Sequence, residues 1–226
     1  MLILALDAST PVTTVALARV EEGNRQLLTE ASTAARGASE ALLSAVQAVL
    51  DLADEDLADV ERILVGVGPG TFTGIRIAAA TARSLALGTG AALATSPTLD
   101  ALAAPALSAG FPEVLAVIDA RRKQVFVRAY SSGGSAPGEI LCLRPEDPSL
   151  GETDAILVGD GAVRYREILS GVGRIPPDDS PLHRVSAAGL VMAADLTPVA
   201  VEEVVPIYVR EPDAEVRRDL NPWNRS

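Results

Sequence analysis

Two aspartates stand directly after runs of apolar residues, in LALDAST (Leu4–Thr10) and AVIDARRK (Ala116–Lys123). An acid at the C-terminal end of a strand lies where open α/β sheets present ligand-binding groups. Asp7 could there hold a metal-bound water, with Ser9 and Thr10 donating to phosphate. Equally, Asp7 and Ser9 could cap the turn through its own backbone. Asp119 is the counterpart, followed by Arg121, Arg122 and Lys123, cations suited either to an anionic ligand or partner or to a solvated loop. Neither aspartate has a glycine two places on, where it would let backbone N–H groups close on phosphate.

A second place for chemistry is GVGPGTFTGIRIAAATARSLALG (Gly66–Gly88), glycine-rich and leading into a helical pattern. It lacks the lysine of a P-loop, and Thr71 stands where a dinucleotide fingerprint requires its last glycine. The alternative is a tight strand–helix turn. Gly68, Pro69 and Gly70 then make the bend, Thr73 caps the helix, Gly74 lets it approach the sheet, and Gly88 ends it. Ile75–Leu87 is rich in alanine, including Ala79 and Ala82, so it can pack backbone-close against another helix. That neighbour is either internal core or a partner's helix.

Other chemistries fail on inventory. The chain has one histidine, His183 in PLHRV, and one cysteine, Cys142. A His-x-x-x-His pair and a cysteine cluster are therefore ruled out, no Ser–His–Asp arrangement has a motif around it, no metal site is expected, and His183 reads as a surface loop residue. The 30 acids against 19 bases give a formal charge of −11, a poor balance for gripping a phosphate backbone alone. A start that meets Asp7 after six residues is not read as a signal peptide. No apolar run reaches the roughly 18 residues of a membrane span. With a single cysteine, the expected setting is the cytoplasm.

The 226 residues suffice for one large domain or two lobes, with a core built from Ala, Leu and Val, because only 3% are aromatic. The elements that must position these groups follow from periodicity. Leu2–Leu6, Val12–Val20, Arg25–Ala31, Arg62–Val67 and Ala91–Thr95 read as strands, and Ser39–Ala53 and Ile75–Leu87 as helices. The first half is thus β-β-β-α-β-α-β. Pro105–Pro112 reads as a linker. Val114–Ile118, Gln124–Tyr130, Glu139–Leu143 and Ile156–Val158 are further strands, with helices at Ala162–Leu169 and Ser186–Leu196. LALDA and AVIDA, about 112 residues apart, suggest an internal duplication, with lobes at 1–106 and 107–226.

In this order, ILALDAST, GVGPGTFTGIRIAAATARSLALG, VIDARRKQVFVRAY, LVGDG and VPIYVRE resemble the TsaB (YeaZ) family, from Leu2 to about Glu211. GPGTFTGIRI is the most specific piece. The resemblance implies a two-lobe α/β fold of the actin-like ATPase, RNase H-like (ASKHA) superfamily. It also implies a non-catalytic subunit. Its partner, the TsaD-type catalytic subunit, places a threonylcarbamoyl group on the adenosine beside the anticodon of tRNAs reading codons that begin with A. A TsaE-type ATPase joins through the complex, tRNA is met only indirectly, and no cofactor is implied. The catalytic relative carries a His-x-x-x-His pair after its glycine-turn helix; here that region is TSPTLDALAA (Thr95–Ala104), without histidine. Many members also carry a histidine before the first long helix, and AARGASEALL (Ala34–Leu43) lacks it. From about residue 212, the tail ending RRDLNPWNRS is unmatched and expected to be mobile, with Trp223 a possible anchor to the body or a partner.

In the family, first-lobe helices make the contact with the catalytic subunit, and the isolated protein pairs with itself through the same face. Carried onto this chain, Leu42, Val46, Val49, Ile75, Arg76, Ala79, Ala82 and Arg83 become the candidate interface. Two alternatives stay open: a nucleotide-dependent phosphotransferase of the actin/hexokinase superfamily using Asp7 or Asp119 to place magnesium, and a metallopeptidase-like protein, which the single histidine argues against.

Overall fold

β1 (Leu2–Asp7) is buried at every position because it lies at the centre of a sheet covered on both faces. The computed structural model describes residues 1–34, 38–133 and 135–209. β2 (Thr13–Glu21) and β3 (Asn24–Thr33) return antiparallel beside β1. α1 (Ala38–Ala53) leads to β4 (Arg62–Gly66), parallel to β1, and α2 (Phe72–Thr89) to β5 (Ala92–Ser96), parallel to β4. The five-stranded order is β3-β2-β1-β4-β5.

α3 (Thr98–Ser108) then enters a second sheet, whose order is β8-β7-β6-β9. β6 (Glu113–Arg121), β7 (Gln124–Ser131) and β8 (Leu141–Leu143) form an antiparallel meander, and β9 (Ile156–Val158) pairs parallel with β6. A meander followed by a parallel strand thus occurs in both sheets, the arrangement of the two-lobe, RNase H-like α/β fold. The short helices α4 (Asp160–Arg164), α5 (Arg166–Leu169) and α6 (Ala187–Ala193) complete the α-helices among the described residues.

Three apolar layers hold this together. Leu4, Leu6, Val15 and Leu17 pack outward on α1 and α2. Ile3, Ala5 and Ala16 face inward, where α3 and α6 fill the space against Ala116, Ile118 and Phe126 of the second sheet. Leu115, Val117, Val125 and Val127 face outward again, towards α4 and α5.

Several expectations change. Pro105–Pro112 is not a linker: α3 runs through Pro105, with Leu99, Ala101, Leu102, Ala103 and Ala106 buried. Proline removes one helical hydrogen bond, and the burial of this face between two sheets outweighs that loss. The N-cap position of α2 is Thr71, not Thr73, and the helix ends at Gly90, in the left-handed region, rather than at Gly88. The LALDA/AVIDA alignment is also out of step with the packing. Asp7 shares its face of β1 with the inward-facing Ile3 and Ala5, whereas Asp119 shares its face of β6 with the outward-facing Leu115 and Val117. The duplication is one of topology, and the aligned aspartates point to opposite sides.

Candidate functional site

Asp7 ends β1 with its side chain fully buried. Its Oδ1 accepts from the Ser9 backbone N–H at 2.7 Å and the Ser9 hydroxyl at 2.6 Å. Its Oδ2 accepts from the hydroxyl of Thr98, the first residue of α3, at 2.8 Å. The Thr98 hydroxyl also accepts from Gly68 N–H at 3.2 Å, while Thr98 N–H donates to Gly68 O at 2.7 Å. Thr71 N–H donates to Ser9 O at 2.6 Å. One carboxylate and two hydroxyls thus tie the end of β1, the glycine turn and the start of α3. Burial pushes the Asp7 carboxyl above the usual aspartate range, and the bonds from Ser9 and Thr98 only partly oppose this.

The turn itself is filled. A Cβ added at Gly66 would overlap the Asp7 carboxylate, and one at Gly74 would overlap Ala8 O. Glycine is required so that β4 and α2 can lie against the Asp7–Ser9 backbone. Gly68 has φ 92° and precedes a cis peptide to Pro69. Ile207 N–H donates to Val67 O at 2.8 Å, so the C-terminal segment crosses the turn's rim. Thr10 turns away and donates to Val12 O at 3.0 Å, and Thr73 lies exposed in the first turn of α2.

The second sheet's acids form a separate group. The Asp119 side chain, 5% exposed, pairs with Arg121 at 3.3 Å and Arg164 at 3.5 Å. Asp160 Oδ1 accepts from Asp119 N–H at 3.0 Å. Burial raises the Asp160 carboxyl's pKa, and the negative charge of Asp119 adds to the rise. Arg121, Arg122 and Lys123 all take left-handed backbone angles in the β6–β7 turn. His183 is not a surface residue: it is buried, and its Nδ1 accepts from Gly159 N–H at 3.1 Å. A lone polar residue in a Pro-flanked loop gives no sequence signal for that role.

The helices bring a larger correction. Leu42, Val46, Val49, Ala79 and Ala82 are buried in the chain's own core against the first sheet, and Ile75 is buried beside Gly68 of the glycine turn. Of the eight candidate interface residues only Arg76 and Arg83 reach the surface. Arg76 stacks 3.7 Å from the Phe72 ring and donates from Nε to the Tyr208 hydroxyl at 2.9 Å, and Arg83 donates to Val204 O at 2.8 Å. Elsewhere on the two helices the exposed apolar residues are Leu43 (51%), Leu52 (74%), Phe72 (52%) and Leu87 (90%), with Leu43 and Leu52 on opposite flanks of α1. Sequence reading missed these, and it missed Thr98. The spacing of Phe72, Ala80 and Leu87 along one side of α2, and the Pro-Thr before an apolar run, carried the available signals. The region before α1 that lacks the family's histidine falls partly, at 35–37, outside the described residues, as does the tail with Trp223.

Comparisons with known proteins converge. A family model described as "TsaD: tRNA N6-adenosine threonylcarbamoyltransferase" matches residues 30–142. The chain is 30% identical over 225 residues to the tRNA threonylcarbamoyladenosine biosynthesis protein TsaB of Escherichia coli, covering 93% of this chain and 95% of that protein. It is 31% identical over 215 residues to an uncharacterized Mycobacterium tuberculosis protein, covering 94% and 93%. Among solved structures, YeaZ from Pseudomonas aeruginosa superposes with a TM-score of 0.71 at 29% identity, covering 92% of this chain and 99% of that one.

Proposed function

The chain belongs to the TsaB family of tRNA threonylcarbamoyladenosine biosynthesis proteins, and from that premise we propose that it is a non-catalytic subunit. In this reading it pairs with a TsaD-type catalytic subunit and holds it in the arrangement that transfers the threonylcarbamoyl group to the adenosine beside the anticodon. The observation that carries the reading is the closed Asp7 knot. Among the described residues, the carboxylate that would place a metal-bound water accepts from Ser9 and Thr98 alone, and the turn that would cradle phosphate has no room beside Gly66 and Gly74. Those residues fasten elements together instead of presenting groups to a substrate.

The partner surface lies on the solvent side of α2, around Phe72 and Leu87, together with the exposed part of α1 beside it. An exposed apolar face of this kind favours association with another helix pair. In the absence of the catalytic subunit, a second copy of this chain covers the same face. The complex works in the cytoplasm, recruits a TsaE-type ATPase, and meets tRNA through the catalytic subunit. No helix among the described residues is long and apolar enough to cross a membrane.

The test is reconstitution from purified subunits with tRNA, threonine, bicarbonate and ATP. Leu87→Arg abolishes co-purification with the TsaD-type subunit and with it the stimulation of transfer, while Asp7→Asn preserves both. Loss of transfer in Asp7→Asn, with the complex intact, would assign chemistry to the knot and overturn the reading.

A further inference from the structure

The two sheets differ on their outer faces. On the first, α1 covers β2 and β3, and α2 covers β4 and β1. On the second, α4 and α5 follow β9 as α2 follows β4 and cover that side of the sheet. The place of α1 is left without a helix. The connection from β8 to β9 contains only a three-residue helical turn, Pro148–Leu150. A groove of about 630 Å³ opens where a counterpart of α1 would lie.

Its floor is the outward side of the sheet: Leu115, Val127, Leu141 and Leu143, closed at one end by Leu150. Leu141 remains 40% exposed, and with Leu27 (46%) it is one of two exposed leucines on the strands of the described residues. The rim carries Glu113, Glu139 and Glu152, all exposed. The cation in the lining, Arg128, has its charge paired within the chain: it donates to Asp100 at 2.7 Å and to the carbonyl of Gly138, at the groove's edge, at 2.8 Å. The groove therefore joins an apolar floor to a rim whose solvent-facing charges are negative.

We propose that this groove docks an amphipathic helix of another protein, with an apolar ridge for the leucine floor and lysines or arginines for the three glutamates. The first sheet supplies the shape argument. There α1 seats Leu42, Val46 and Val49 on the corresponding face, so this kind of surface accepts a helix whose apolar residues recur every three to four positions. The rim supplies the charge argument, since basic flanks speed and orient the encounter with an acidic rim. The groove lies on the second sheet, away from the α1–α2 face, so both surfaces can be occupied together.

The probe is a synthetic leucine-ridged helix flanked by lysines, with a glutamate-flanked version as its control, titrated into the full chain by fluorescence anisotropy. The lysine peptide saturates a single site, weakens as salt is raised, and binds the Glu113→Gln, Glu139→Gln, Glu152→Gln triple variant about tenfold more weakly. Leu141→Arg, at a position already exposed, eliminates binding while leaving the circular dichroism and melting transition of the chain intact. Equal binding of both peptides, unchanged affinity in either variant, or no saturable binding overturns the proposal. A change of oligomeric state in Leu141→Arg by light scattering would assign the groove to a second copy of the chain and overturn it likewise.

Discussion

Thr98 and Asp7, 91 positions apart, meet through a 2.8 Å hydrogen bond that closes the end of β1 onto the start of α3. The same hydroxyl accepts from Gly68 N–H, so one side chain serves both the carboxylate and the glycine turn. Thr98→Val removes donor and acceptor at once and leaves two buried partners unsatisfied. Urea denaturation should show a loss of about 2–4 kcal/mol, against less than about 1 kcal/mol for Thr98→Ser, which keeps the hydroxyl. Equal losses in the two variants would mean that packing, not the bond, fixes Thr98.

Asp7 gives the chain a particular response to pH. Its folded carboxyl holds a proton to higher pH than the unfolded one, whose ordinary value is near 3.8. In that window the folded state binds more protons, so the contribution of Asp7 to stability is full below about 3.8 and declines as pH rises through the elevated folded value. Asp7→Asn should remove this decline. Unfolding free energies measured across a pH series for both proteins give the difference. An identical slope in the two would show that Asp7 titrates normally. Asp160, also raised by burial, contributes a second decline of the same sign, which Asp160→Asn removes separately.

Two glycines of one helix should respond oppositely to alanine. At Gly74 an added methyl overlaps Ala8 O, and overpacking against backbone costs about 1–3 kcal/mol. At Gly88, near the end of α2, nothing lies within 4 Å, so alanine should stabilise by about 0.5–1 kcal/mol through its helix propensity. Thermal melts of the pair check both signs.

The two sides of α2 separate folding from assembly. Ala82→Arg drives a charge into the core against the first sheet and should yield insoluble or unfolded protein, by more than about 4 kcal/mol. Leu87→Arg, at a site 90% exposed, should change stability by less than about 0.5 kcal/mol and still prevent the chain from pairing. Soluble expression and size-exclusion chromatography distinguish the outcomes. A soluble, pairing-deficient Ala82→Arg would restore the buried stripe as the interface.

Much of this architecture was legible. The strands of both meanders and the turn-then-helix at Gly66–Thr89 follow from apolar runs and glycine placement. Gly70 and Gly74 of that stretch lie against Ser9 and Ala8. α3 was hidden because Pro105 is a local stop signal, and only burial between two sheets keeps the helix going past it. The aspartate pair misled because apolar-then-Asp repeats in sequence while strand parity, which decides the face, depends on pairing partners far away. The interface residues misled for a related reason. α2 is apolar or small on nearly every side, so periodicity cannot tell the stripe facing its own sheet from the one left for a partner.

The central claim, that this chain supports transfer by assembling with a catalytic subunit and not by its own chemistry, is tested most directly by one measurement. The rate of threonylcarbamoyl transfer to tRNA is followed with the TsaD-type subunit, the ATPase and the carbamoyl-adenylate source held constant, adding no chain, wild type, Asp7→Asn or Leu87→Arg. Transfer should depend on the chain, survive Asp7→Asn and fail with Leu87→Arg. An undiminished rate without the chain, or a rate abolished by Asp7→Asn within an intact complex, would contradict the account.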